Sequence, residues 1–317
     1  MRRFPRNFGE SGRREKILSG KSDRSKKCAI MVTVEAKRTA RWLQKRVSAS
    51  NISGKNDGTM EWITLAVLFL VVAAGFTLAG LVGFGANVLA LPILSFFMPI
   101  QDLVEVFAVI SFVNATYRVI ENRKGIIWKD YVRIMCISLP GAVLGIWIFH
   151  TLPENWLKLV LGCFIIAMSV YNLKTKDGGT PPEENGAESF SRKLFYHGVL
   201  FTGGMLQGAF ICGGPMFVIF CNHYYGYNRL HFRGMQFGII FLNVSCVFLT
   251  YLLQGAYTGV VLTQSTVSLL ALLLAFFISG KLLKKMRDRM LYVLIQIVLL
   301  CSGLSIALQA GWNLLGL

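Results

Sequence analysis

Charge is scarce in this 317-residue chain: 15% of its residues are Asp, Glu, Lys or Arg, against about 25% in ordinary soluble domains. From Trp62 to Gln101 there is no Lys, Arg, Asp, Glu or His at all. The four histidines, His150, His197, His223 and His231, stand near the ends of apolar segments, at no metal-ligand spacing. The seven cysteines include no CxxC pair, and six of them lie in or at the edge of apolar segments, so they read as small hydrophobes and not as a metal or disulfide framework. No Walker-type glycine loop is present for nucleotide phosphates, and no nucleophile stands with a base. These absences argue against an enzyme, a metalloprotein and an ATP-driven pump, and they imply no cofactor.

What is present is hydrophobicity. Apolar residues make up 54% of the chain and the mean hydropathy is +0.54. Several uncharged runs near or above about 18 residues identify an all-α polytopic integral membrane protein, with the lipid bilayer as its surroundings. The net charge of +17 would suggest nucleic acid if it were spread evenly. It is not: residues 1–59 hold 16 of the 33 Lys and Arg against five acids, supplying +11. The other basic residues sit in short loops between apolar segments, which is a topology signal. Nucleic acid is therefore not an expected partner.

Residues 1–59 are rich in Arg, Lys and Ser, lack apolar periodicity and read as a disordered tail. A cytosolic basic tail, an organellar transit peptide and translation starting at Met60 are the three readings, and the last is favoured. Beyond it, apolar segments follow near 62–101, 104–121, 131–150 and 157–173. After a hydrophilic stretch come 194–225, 234–253, 261–283 and 290–310. The expected layout is a first transmembrane repeat over 60–173, a linker over 174–193 and a second repeat over 194–317.

The halves match at a nearly constant offset. Gly80 corresponds to Gly208 and Gly85 to Gly213, with the same separation in both pairs. Asn114 corresponds to Asn243 and Gly125 to Gly255, and these separations are longer only by a position or two. Basic residues fall at 118–133, in the linker, at Arg229 and Arg233, and at 281–289. If all four groups are cytoplasmic, each long limb crosses twice. The eight hydrophobic units then make up to ten crossings, five per half, and the repeated halves are inverted.

Both long limbs carry a break. As one helix, 62–101 would reach about 60 Å, twice a hydrocarbon core of about 30 Å. Gly83, Gly85 and Asn87 interrupt the first limb ahead of Pro92; Gly213, Gly214 and Pro215 interrupt the second. Pro215 suits a first helical turn, where its missing N–H costs nothing. An interrupted helix is tolerated at membrane depth only where it is buried in protein or lines a cavity. Its free N–H groups and partial positive charge suit an anion. One such cluster would be explained by close helix packing; two at matching positions favour a paired binding site.

The run Gly80 to Pro92 (GLVGFGANVLALP) resembles the first glycine motif of the TauE/SafE family. Gly203 to Pro215 (GGMLQGAFICGGP) resembles the second, and Asn122 to Trp128 (NRKGIIW) is similar to the loop after the family's next span. Two positions depart from the pattern: Ala86-Asn87 replaces a glycine-richer run, and Ile127, not Asp, precedes Trp128. The resemblance covers about residues 60–310. It implies a secondary transporter of the inner membrane for a small anionic substrate: sulfite, sulfoacetate or a related organosulfonate.

Candidate substrate-binding residues are Gly83, Gly85, Asn87, Asn114, Gly213, Gly214, Pro215 and Asn243. An amide in hydrocarbon needs partners, so Asn114 and Asn243 should face the interior. Interhelical hydrogen bonding is the plain alternative. Gln207 is weighed in the same way. Arg118, one turn beyond Asn114, reads first as a snorkelling topology marker and second as an anion contact. Without a nucleotide motif the drive should be an ion gradient or the potential. The potential favours anion export by about 2.3 kcal/mol per charge per 100 mV. The competing readings are a non-transporting anchor of a sulfur-metabolising complex and an anion channel. Nothing in the sequence excludes a homo-oligomer.

Overall fold

The computed structural model describes residues 58–82, 86–174, 190–282, 300–308 and 310–312. The basic stretch before residue 58, Gly83, Gly85, most of the linker and the basic run after Leu282 lie outside the described residues. Contacts divide the chain after Met60, and the structure below is that of the unit Glu61–Leu317. Its described residues are mainly helical and include no strand. That follows from the physics of hydrocarbon, where a lone segment can satisfy its backbone polar groups only by coiling.

The helices are α1 (Gly58–Val82), α2 (Ala86–Leu94), α3 (Ile100–Asn122), α4 (Trp128–Thr151) and α5 (Glu154–Lys174), then α6 (Phe190–Phe210), α7 (Gly214–Tyr225), α8 (Arg229–Leu253) and α9 (Gly259–Leu282). A 3-10 turn, Arg123–Gly125, joins α3 to the loop before α4. A last helical stretch, 300–308 and 310–312, packs on α5 where Gly162 meets Gly303 and Ala307. Six described helices are long and apolar enough to cross a membrane: Trp62–Ala79, Ile100–Gly125, Trp128–Thr151, Glu154–Tyr171, Arg229–Leu253 and Gly259–Ser279.

The second broken limb folds back on itself. Tyr196 stacks on His223 with ring centroids 3.7 Å apart, and His197 meets Phe220. Gly203 lies against Met216 and Phe217. These pairs close symmetrically on the break at 211–213, so α6 and α7 form an antiparallel hairpin. The 21-residue α6 is about 31 Å long, close to a hydrocarbon core of about 30 Å, whereas the 12-residue α7 is about 18 Å and falls well short of it. In the first limb α2 touches α1 where Gly75 meets Ala86 and Ala90.

Helix pairings then fix which ends lie together. α3 and α8 are antiparallel: Gly125 abuts Leu230 and Gly234, while Phe112 stacks on Phe248 at 4.6 Å. α4 runs parallel to α8, from Tyr131 Oη donating to Gly238 O (3.1 Å) to His150 beside Gln254 (2.9 Å). It is also parallel to α6, with Ser138 against Gly204, Ala142 against Gly208 and Phe149 against Phe210. One end of the bundle therefore gathers Arg123, Lys124, Lys129, Arg133, Arg192, Lys193, Arg229 and Arg233. The α6–α7 hairpin is rooted at that basic end. The α1–α2 hairpin is rooted at the other, because α2 leads through a short turn into the start of α3. The two hairpins approach each other from opposite ends.

Glycines set the closest crossing. On α4, Gly141 and Gly145 meet the carbonyls of Phe201 and Met205; on α6, Gly204 and Gly208 meet those of Ser138 and Ala142. A side chain at any of the four would collide with backbone, which cannot swing aside as a flexible side chain does. Gly145→Leu and Gly208→Leu should each abolish the monodisperse peak in fluorescence-detected size exclusion. Gly198→Ala should leave it intact, since nothing lies within 4 Å of a Cβ there. A normal peak from both leucine variants would refute this packing.

Candidate functional site

The second break is built from α6 outward. Helix α6 ends at Phe210, and Ile211 then adopts φ = 56°. This left-handed region costs a side-chain-bearing residue about 1–2 kcal/mol, and a β-branched residue is rare in it. Gln207 holds the turn: its backbone carbonyl accepts from Ile211 N (3.0 Å) and its Oε1 accepts from Gly213 N (2.8 Å). Helix α7 starts at Gly214, with Pro215 in its first turn. Gly213 has no room for a Cβ, which would fall on Gly203 O and the Gln207 side chain.

The strained turn points Ile211's carbonyl at the other hairpin. Asn87, in the first turn of α2, donates from Nδ2 to Ile211 O and to Ser111 Oγ, both at 2.8 Å. One amide thus ties the tip of the first hairpin to the tip of the second and to the middle of α3. Asn87 Oδ1 is buried and has no partner among the described residues.

Around this junction lies a cavity of about 80 Å³, room for several waters at the roughly 10–15 Å³ each needs. Asn87, Ser111, Asn114, Arg118, Gln207 and Pro215 contribute its polar and helix-terminal lining; Phe76, Phe237 and Ile240 are among its apolar walls. Arg118 sits 5.7 Å from the ring centroid of Phe237 and 5.9 Å from that of Phe276. Both rings thus hold the guanidinium by cation–π attraction at the edge of the cavity. Arg118 forms no ion pair among the described residues, and it is the charged residue of the lining. Asn114 also lines the cavity, its Oδ1 buried and unpartnered among the described residues.

Of the eight residues expected from sequence, Asn87, Asn114, Gly214 and Pro215 line this cavity. Gly213 stands beside it, behind Gln207. Gly83 and Gly85 lie outside the described residues. Asn243 is elsewhere: its Nδ2 donates to Ser138 Oγ and Ile239 O, both at 2.8 Å, and its side chain is fully buried. Ser111 and Ile211 were not expected. Ser111, Asn114 and Arg118 follow at spacings of three and four residues, which puts them on one face of α3. That stripe was available in the sequence.

Helices interrupted in two limbs and gathered around a small, partly polar cavity, inside an apolar helical bundle, are those of a polytopic membrane protein. Searches of curated proteins and of solved structures returned no match. A family profile does match: residues 67–306, well over half of the sequence, fit the Sulfite exporter TauE/SafE family. The chain belongs to that family, which makes it an integral membrane transporter and not an enzyme.

Asn87→Ala would leave a strained carbonyl and a buried hydroxyl without their donor, a loss of about 1–3 kcal/mol. The detergent-solubilised variant should melt several degrees below wild type in a thermal-shift assay. An unchanged melting temperature would mean that the tip-to-tip bond carries no stability.

Proposed function

We propose that the chain is a secondary transporter of the bacterial inner membrane that moves small sulfur-containing anions, with export mildly preferred. Sulfite, sulfoacetate and related organosulfonates are the candidate substrates. The observation that carries this reading is the shared cavity: Asn87 at the start of α2, the turn at Ile211 and Cys212, and Arg118 border one small space.

The chemistry suits an oxyanion. Arg118 supplies charge and a planar fork of donors. The amides of Asn87, Asn114 and Gln207 surround it, and the first turn of α2 adds free backbone N–H groups. Helix α7 offers fewer such groups, because Gly213 N is engaged by Gln207 and Pro215 has none. The charge therefore rests on Arg118 more than on the helix termini. Among the described candidate residues Gly213, Gly214 and Pro215 shape the second tip, while Asn87 and Asn114 make the contacts.

An inverted repeat supports carriage. Helices α2 and α7 start at Ala86 and Gly214, α3 and α8 at Ile100 and Arg229, and α4 and α9 at Trp128 and Gly259, a nearly constant separation along the chain. The packing repeats too: α4 lies on α8 as α9 lies on α3. We take residues 60–173 and 194–317 as the two repeats, with 174–193 linking them and 1–59 as a basic tail. The basic end faces the cytoplasm, and one repeat moving against the other exposes the site to either side.

Counterflow of labelled sulfite or sulfoacetate in proteoliposomes tests this directly. Trans-stimulation should be seen with wild type, be at least tenfold weaker in Arg118→Gln and be partly kept in Arg118→Lys. The tenfold loss corresponds to about 1.4 kcal/mol of anion binding. Absence of trans-stimulation with every sulfur anion would overturn the carrier in favour of a channel or an anchoring subunit. Wild-type rates in Arg118→Gln would remove Arg118 from the site.

A further inference from the structure

One buried acid stands apart from the anion cavity. Helix α3 opens at Ile100 with two acidic residues in its first two turns. Asp102 is half-buried and suits the positive end of the helix dipole. Glu105 lies a turn deeper and is 1% exposed, the one acid among the buried polar side chains of the described residues. Around it Leu103, Val104, Val106, Phe107 and Ala108 are fully buried in one apolar cluster. Glu105 is not among the residues that line the cavity. It precedes Asn114 by about two and a half helical turns, which puts it on the opposite face of α3 and about 14 Å away along the axis.

Few charges surround it. The helices packed on α3 are α2, α5, α8 and α9. Helix α2 carries no acid or base, and α9 carries none before Lys281 at its far end. Helix α5 brings Glu154 and Lys158, which pair with each other at 2.9 Å. Helix α8 brings Tyr251, buried and with His150 of α4 against its ring at 5.7 Å. The loop beyond α8 brings Tyr257. Burial, and after it the charge of Glu105, push the Tyr257 phenol up, so carboxyl and phenol feel each other. Tyr257 Oη is buried without a partner among the described residues, while its loop neighbours Gly255 and Thr258 are exposed. The phenol therefore stands between Glu105 and the surface, at the end of the bundle remote from the basic loops. A carboxyl in such a wall fits differently with and without its proton. Neutral, it is a polar group with a hydrogen bond to make; charged, it needs a partner or water. Ionisable side chains kept at membrane depth mark ion and proton paths.

We propose that Glu105 is the proton site of the carrier, exchanging one proton for the exported anion. The carboxylate takes its proton past Tyr257 from the end away from the basic loops. It gives the proton up on the other side once α3 has changed its orientation. Arg118 stands toward the basic end of the same helix, so anion and proton approach α3 from opposite ends and on opposite faces. That arrangement suits exchange and not joint binding. Helix α3 is the element that both ligands bias: it carries the anion one way and returns with Glu105 protonated. The inference rests on the transporter reading above and adds its coupling ion; Glu105 itself touches no anion.

The test uses the full chain in proteoliposomes with the membrane potential clamped at zero. A gradient of about one pH unit should shift the steady-state distribution of labelled sulfoacetate about tenfold toward the acid side, the ratio one exchanged proton supplies. Leak of the protonated acid, or cotransport with a proton, would carry it toward the alkaline side. Glu105→Gln should leave the anion evenly distributed yet retain counterflow, which needs no net proton movement. Glu105→Asp, which keeps the carboxyl, should restore the shift. An even or alkaline-side distribution in wild type that shows counterflow, or an acid-side shift in Glu105→Gln, would overturn the exchange. Loss of counterflow in a monodisperse Glu105→Gln would overturn it too. Should that variant fail to fold, the native chain decides. Dicyclohexylcarbodiimide adds to a protonated carboxyl in apolar surroundings, and its yield at Glu105, read by peptide mass spectrometry, should fall as the pH is raised. No labelling, or a yield indifferent to pH, would overturn the proton site. Absence of wild-type counterflow would strike the transporter reading instead, and the carbodiimide yield would still test Glu105.

Discussion

Breaking a helix inside an apolar bundle strands backbone groups where no water can reach them, and each stranded group costs several kcal/mol in hydrocarbon. Most of the central architecture can be traced to how those groups find partners. Gln207 reaches forward to cap Gly213 N. Asn87 reaches across to Ile211 O, a carbonyl aimed outward by a residue in the left-handed region. The second of these joins two hairpins that are far apart in sequence, so the repair of one backbone defect also assembles the site. Had each break been capped within its own hairpin, nothing would hold the tips together, and the cavity would have no reason to form between them.

Much of this was legible beforehand, for reasons specific to the residues. Forty residues without a basic or acidic side chain, from Trp62 to Gln101, cannot be one straight span, so a break had to fall at the glycines. Pro215 marked the start of α7. The site was less legible. Asn114 and Asn243 are indistinguishable in sequence, each mid-helix in a similar motif, yet one lines the cavity and the other is engaged by Ser138. Only the relative placement of α3, α4, α8 and α9 separates them. Arg118 was read first as a topology marker because its distance from the end of α3 suits snorkelling. Two aromatic rings from α8 and α9, remote in sequence, are what turn it inward. Ile211 could not be foreseen, since nothing in its side chain favours the conformation it adopts.

The charge pattern acquires a structural meaning from the helix directions. The loop after α3 and the starts of α6 and α8 share one end of the bundle, and their basic residues come together there although they are scattered along the chain. The two hairpins are rooted at opposite ends.

The glycine crossing between α4 and α6 has a mechanical consequence. Backbone lies directly on backbone there, with carbonyls seated in the gaps left by missing side chains, as a dovetail joint seats its tenons. Such a joint neither slides nor rolls without lifting apart. Since α4 comes from one half of the chain and α6 from the other, the seam between the halves is tightest at this joint, and a movement of one half against the other would have to pivot about it instead of sliding through it.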